Sequence, residues 1–152
     1  MVKLETIQQE EFERFLEHEI QAYAQDHVRN GNWDAAGALE RSRKEFAQYL
    51  PHGIRSPNQH VWSIVEEENH AIGVLWVEVK ERKAFIFDFI IDEEHRGKGF
   101  GKQALTAMEE RLKSLGAESV SLHVFGDNTG AQELYKKMGF RITNIQMKKD
   151  LS

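Results

Sequence analysis

Three glycines alternate at positions 97, 99 and 101, and three basic side chains, Arg96, Lys98 and Lys102, stand among them. Glycine lets a backbone turn tightly and lets a ligand come close to the main chain. A helix that opens after such a turn aims its free N–H groups and the positive end of its dipole at it. With three cations added, this is an anion site, best suited to a pyrophosphate. The plainer role for the same residues is a flexible strand-to-helix turn. Two nucleotide patterns fail on these positions. A dinucleotide fingerprint needs a third glycine where Lys102 stands. A Walker A loop needs glycine at Arg96 and Ser or Thr at Gln103.

Two further side chains could move a proton. Asp88 is a lone carboxylate inside the apolar run Phe85-Ile86-Phe87-Asp88-Phe89-Ile90-Ile91. A carboxylate in such a setting needs a partner or a raised pKa, so it is either catalytic or part of a structural hydrogen bond. His123 lies in a strand-like segment where Val120, Leu122 and Val124 alternate with Ser121 and His123. Alternation puts it on the face away from the aliphatic stripe, and imidazole titrates near neutral pH, which suits a general base. The remaining histidines, 18, 27, 52, 60, 70 and 95, form no cluster with metal-ligand spacing, and no metal site is expected. The acids Glu10, Glu11, Glu13, Glu17 and Glu19 read as a solvated helix face. Trp33, Trp62 and Trp76 read as packing residues.

The elements that must position these groups follow from hydrophobic periodicity. Residues 2–7 read as a strand. Residues 10–30 read as a helix with Phe12, Phe15, Leu16, Ile20, Tyr23 and His27 on one face. A second helix, capped by Asp34, carries Leu39, Phe46 and Leu50 inward, and both prolines, Pro51 and Pro57, lie in the loop after it. Residues 60–66, 71–80 and 84–91 read as three strands joined by hairpin-length turns, hence antiparallel. Residues 102–115 form a helix stopped by Gly116, and 119–125 a strand parallel to 84–91. Thr129-Gly130-Ala131-Gln132 opens a short helix that Gly139 ends. Residues 140–142 and 145–151 read as late strands, their parity shifted at Thr143-Asn144. One mixed α/β domain spanning 1–152 is expected, with four helices around a sheet of six to seven strands.

The spacing Arg96-Gly97-Lys98-Gly99-Phe100-Gly101 resembles the acetyl-CoA pyrophosphate loop of the GNAT acetyltransferases. The segment Asn128-x-x-Ala131-x-x-x-Tyr135-x-x-x-Gly139-Phe140 resembles the second signature of that family, and the likeness is strongest from about Phe85 to Phe140. It implies a GNAT-like mixed sheet, antiparallel in its N-terminal half, whose central parallel pair splays to admit the pantetheine arm. It further implies that backbone groups of Phe89, Ile90 and Ile91 bond that arm and face the thioester, and that the loop from Arg96 to Lys102 holds the phosphates. Asn128 would bond the pantetheine or, alternatively, cap the helix that carries Ala131. Tyr135 would protonate the departing thiolate, or else serve as a core aromatic beside Leu134 and Met138. Asp88 and His123 remain rival bases, with a water or an acid such as Glu66 or Glu78 as a third option. The first two helices would border the acceptor.

Composition narrows the rest. Apolar residues make up 40 % of the 152 and charged residues 30 %, and no apolar run approaches the length of a bilayer span. The chain starts without a secretory h-region, so a cytoplasmic protein is expected. There is no cysteine, which excludes disulfides, thiolate metal sites and a cysteine nucleophile. Acetyl transfer would therefore run directly, from acetyl-CoA as co-substrate to a primary amine in a ternary complex. Transfer of a longer acyl group and a CoA-binding regulatory module without turnover are the alternatives. The net charge of −5 argues weakly against nucleic acid as partner; it would favour a cationic acceptor, small molecule or protein, with simple solubility as the plainer account. Exposed edge strands could pair two copies into a homodimer.

Overall fold

The computed structural model describes all 152 residues. Strand β1 (Lys3–Thr6) leads into helices α1 (Gln9–Arg29) and α2 (Ala38–Tyr49). Strands β2 (Gln59–Val65), β3 (Ala71–Lys80) and β4 (Lys83–Ile91) follow, then α3 (Phe100–Ser114), β5 (Ser119–Leu122) and α4 (Thr129–Lys137). One sheet runs in the order β1-β2-β3-β4-β5. Its first four strands are antiparallel and β4–β5 is parallel. The mixed architecture and four helices match expectation, but the sheet has five strands, not six to seven. Residues 140–142 and 145–151 form no strand, because no other strand pairs with their backbone; the Phe140 N–H donates to the Tyr135 carbonyl at the end of α4.

Two cores lie on opposite faces of the sheet. On one, Leu75, Val77 and Ile86 meet Ala104, Leu105, Met108 and Leu112 of α3. On the other, Val74 and Trp76 meet Phe12, Phe15 and Ile20 of α1 and Phe46 of α2. Helix periodicity thus placed most inward residues correctly. Leu39 and Leu115 are exceptions, both exposed at the ends of their helices. Asp34 caps nothing: α2 begins after Gly37, whose φ of 79° turns the chain into the helix.

The register of β3 on β4 slips once. Trp76 pairs with Asp88 and Val77 with Ile86, leaving Phe87 as the extra residue of a β-bulge. A bulge reverses which face later side chains occupy. Ile86, Phe89 and Ile91 pack on the α3 side, whereas Phe87 and Ile90 pack on the α1 side. Asp88 is carried with Phe87 toward α1.

Gly73 sits opposite Ile91 at the end of this ladder. A Cβ there would lie 2.1 Å from the Ile90 carbonyl oxygen, a backbone atom with nowhere to go. Gly73→Ala is expected to cost about 1–3 kcal/mol, as forced overpacking does. Urea unfolding should show a lower midpoint with an unchanged slope; an unchanged midpoint would mean that β4 yields freely there.

Candidate functional site

Strands β4 and β5 stay paired only from Lys83 to Ile86 against Ser119 to Leu122. Beyond Ile86 they separate, and the edge of β4 from Phe87 to Ile91 has no strand beside it. Two backbone groups on this stretch are already engaged. The Phe89 N–H donates to Asp88 Oδ1 at 2.9 Å, and Arg96 Nε donates to the Ile91 carbonyl at 2.7 Å. Arg96 therefore anchors the glycine turn to the end of β4, a job its place among the phosphate cations did not suggest. The family's use of Phe89, Ile90 and Ile91 would have to work through their remaining backbone groups.

The turn opens directly into α3, which starts at Phe100 and not at Lys102. Its first helical bond runs from Gln103 N to Gly99 O, so Phe100, Gly101 and Lys102 carry the free first-turn N–H groups. Gly97 and Gly99 have φ of 74° and 84°, a region only glycine visits cheaply. A Cβ on either would meet no atom within 4 Å, so the space beside the turn is open. Lys98 and Lys102 are exposed around it. Gly101 differs: a Cβ there would stand 3.3 Å from Leu134 and 3.8 Å from Phe89. Its small size lets α3 approach α4, which is packing and not ligand access.

Asn128 caps α4, accepting a bond from Ala131 N at 3.2 Å. One turn on, the Tyr135 ring lies 6.4 Å from Phe89 and 5.4 Å from Phe140. Its hydroxyl bonds to no group of the chain. Burial, and secondarily the charge of Asp88, push the phenol up to about 12.

Asp88 is half-buried and faces Glu19 of α1; burial first, then Glu19, holds its pKa well above the usual carboxylate range. Glu19 is only 8 % exposed, and His18 Nδ1 lies 2.7 Å from its Oε2. It is not part of a solvated acidic face. The signal was present in the sequence: position 19 follows Phe15 by four and Leu16 by three, so it falls on the apolar stripe. His123 lies just past the end of β5, exposed, with its ring 5.4 Å from Phe85. The structure thus sets Glu19 against Asp88 on the α1 side of β4, packs Tyr135 on Phe89 of the same strand, and leaves His123 on the surface. Of the other acids considered, Glu66 meets Glu68 and His70 at the β2–β3 turn, on an exposed corner. Glu78 accepts a bond from Gln59 Nε2.

No helix is long and apolar enough to cross a membrane. The sequence profile of the acetyltransferase (GNAT) family matches residues 5–140. An uncharacterized N-acetyltransferase of Bacillus subtilis, YycN, is 37 % identical over 154 residues, covering 99 % of each chain. A second from the same organism, YdgE, is 38 % identical over 97 % of each. The crystal structure of YycN superposes on this chain with a TM-score of 0.96, covering 100 % of this chain and 99 % of its own. A PaiA N-acetyltransferase from Thermoplasma acidophilum, solved with coenzyme A, shares the fold at 18 % identity and a TM-score of 0.71, covering 96 % of this chain and 93 % of its own. With the splayed strands, the glycine turn and the profile match all lying in the same stretch of sequence, the chain belongs to the GNAT acetyltransferase family.

Proposed function

We propose that the chain transfers the acetyl group of acetyl-CoA to a primary amine by direct attack, and that the amine enters from the side of α1. The observation that carries this reading is the carboxyl pair Asp88 and Glu19 beside the open edge of β4, with Tyr135 packed on Phe89 of the same strand. The free N–H groups of Phe100, Gly101 and Lys102, with Lys98 and Lys102, suit the pyrophosphate. The pantetheine arm would lie along β4, in the gap beyond Ile86.

The proton count fits these groups. An alkylammonium is no nucleophile, so it must first lose a proton. The Asp88–Glu19 pair attracts the cation, and Asp88, with its raised affinity for protons, takes one from it. The free amine attacks the thioester carbon, and collapse of the tetrahedral intermediate breaks the C–S bond. Tyr135 gives its proton to the CoA thiolate, and the tyrosinate recovers one from the nitrogen, now an amide. A phenol at about 12 is a poor match for a thiol near 8.5. Protonation of Asp88 removes the negative charge that helps to hold Tyr135 up, so the base step prepares the acid step.

The test is CoA release over a panel of mono- and diamines, with acetyl-CoA and two longer acyl-CoAs. Release with acetyl-CoA and a cationic amine supports the reading. Faster release with a longer chain would reassign the acyl group, and CoA binding without release from any amine would make the domain a regulatory module. A companion experiment probes the turn. Gly99→Val puts a branched side chain at a φ of 84° and into the open space beside the loop. Calorimetry should show CoA affinity at least ten-fold weaker; unchanged affinity would remove the turn from the site.

A further inference from the structure

On the α1 side of the sheet, β4 and the end of α2 set out a row of aromatic rings. Ile86 and Leu122 pack on the α3 face, so Phe85, which pairs with Ser121, points the other way. Phe87 joins it there through the bulge. The rings follow one another in series. Tyr49, the last residue of α2, lies 4.6 Å from Phe87, Phe87 lies 4.8 Å from Phe85, and Phe85 lies 5.4 Å from His123. Trp76 backs the row, stacked on Phe87 at 4.7 Å. Yet the row is not closed over: Phe85 and Phe87 are half-buried, His123 is exposed and Tyr49 is 42 % exposed. Four rings turned partly to water beside a carboxyl pair form a surface shaped for something other than the protein's own packing.

We propose that this row receives the body of the acceptor, and that the acceptor is an arylalkylamine, a primary amine joined to a flat aromatic group by a short chain. The inference rests on the acetyl-transfer reading above and names the class of amine it takes. Position argues for it. Phe87 immediately precedes Asp88, and both lie on the α1 side where β4 and β5 part. Neighbouring Cα atoms stand about 3.8 Å apart, a gap that two methylene groups bridge. An ammonium held at Asp88 thus lays its ring on Phe87. The Tyr49 and Phe85 rings tilt to Phe87 by 47° and 69°. Tilted rings suit a further ring, because aromatic edges are positive and faces negative. Charge argues against a diamine. Past Phe85 the same face ends on Lys83 and Lys80, which pair across the β3–β4 turn and are both exposed. Glu78, between Lys80 and Trp76 on that face, is already held by Gln59 Nε2 at 2.8 Å, and Gln59 Oε1 takes the Trp76 N–H. A diamine carries its second cation toward two ammonium groups, whereas a neutral ring meets no such repulsion.

The test gives the full-length chain acetyl-CoA and three primary amines: phenylethylamine, butylamine and diaminobutane. kcat/KM for phenylethylamine should exceed that for each of the others by about ten-fold or more, the scale of discrimination an apolar pocket reaches for a group it buries. Tyr49→Leu and Phe85→Leu keep apolar bulk and remove a ring. Each should raise KM for phenylethylamine several-fold with little change in kcat, and so narrow its lead over butylamine. A loss of folded protein cannot do this, since it lowers the rate with every amine alike. Calorimetry on the CoA-loaded protein measures phenylethylamine binding apart from turnover. Equal kcat/KM for the three amines, or a preference for diaminobutane, would overturn the acceptor class and leave acetyl transfer standing. Phenylethylamine binding that Tyr49→Leu weakens, with no CoA released from any amine, would overturn acetyl transfer and support the aromatic row as a binding site. Absence of both binding and turnover with phenylethylamine would overturn the proposal.

Discussion

Tyr135→Phe lowers turnover by about 10²–10⁴-fold, the range lost with a positioned general acid, and leaves acetyl-CoA affinity nearly unchanged. The substitution is unusually clean in this fold. The ring packs between Phe89 and Phe140, and the hydroxyl has no partner in the chain to lose. Melting temperature should therefore stay within a degree or two, which separates chemistry from folding. Single-turnover kinetics on the variant, where product release cannot mask the step, provide the measurement. The phenol at about 12 titrates outside the working range, so the variant should keep the pH profile of the parent at a lower amplitude. Parent-like single-turnover rates would show that the thiolate leaves unprotonated or takes its proton from water.

Asp88→Asn abolishes most turnover and at the same time raises stability. The carboxyl is desolvated and faces Glu19, while the Phe89 N–H alone favours its charge. Its folded-state pKa lies above the unfolded value of about 3.9, so the native state binds more protons than the unfolded one in between. Stability therefore falls as pH rises through that window, and the whole penalty is present above the folded pKa. Asparagine removes the charge, still accepts from Phe89 N and can donate to Glu19. The variant should melt higher than the parent at pH 8, with the advantage shrinking at pH 5. Its rate should drop about 10²–10⁴-fold and lose the limb that belongs to Asp88. His123→Ala, by contrast, should remain active and keep that limb. A destabilised but active Asp88→Asn would make the residue an anchor of the bulge. A folded but dead His123→Ala would return the base to His123. Such a trade of stability for function is common where a site holds like charges together.

Much of this protein was determined by its sequence alone. The glycine turn with its basic residues and the Asn128-to-Phe140 signature pointed to the family, because they are local: a positive φ, a helix start and a cap involve residues a few positions apart. Three antiparallel strands, a crossover helix and a parallel fourth followed from period and loop length for the same reason. Tertiary structure decided what depends on distant partners. The bulge at Phe87 turns Asp88 toward α1, and alternation along β4 could not reveal it, since a bulge is a property of two strands together. Glu19 is buried because Asp88, 69 positions later in the chain, meets it there. Arg96 serves the end of β4 because the Ile91 carbonyl has no strand beside it. The late strands were read from a real alternation at Ile145, Met147 and Leu151, but a strand exists only where another backbone accepts its hydrogen bonds. Within one chain that partner is missing, so the same residues that spell a strand stand out as an arm.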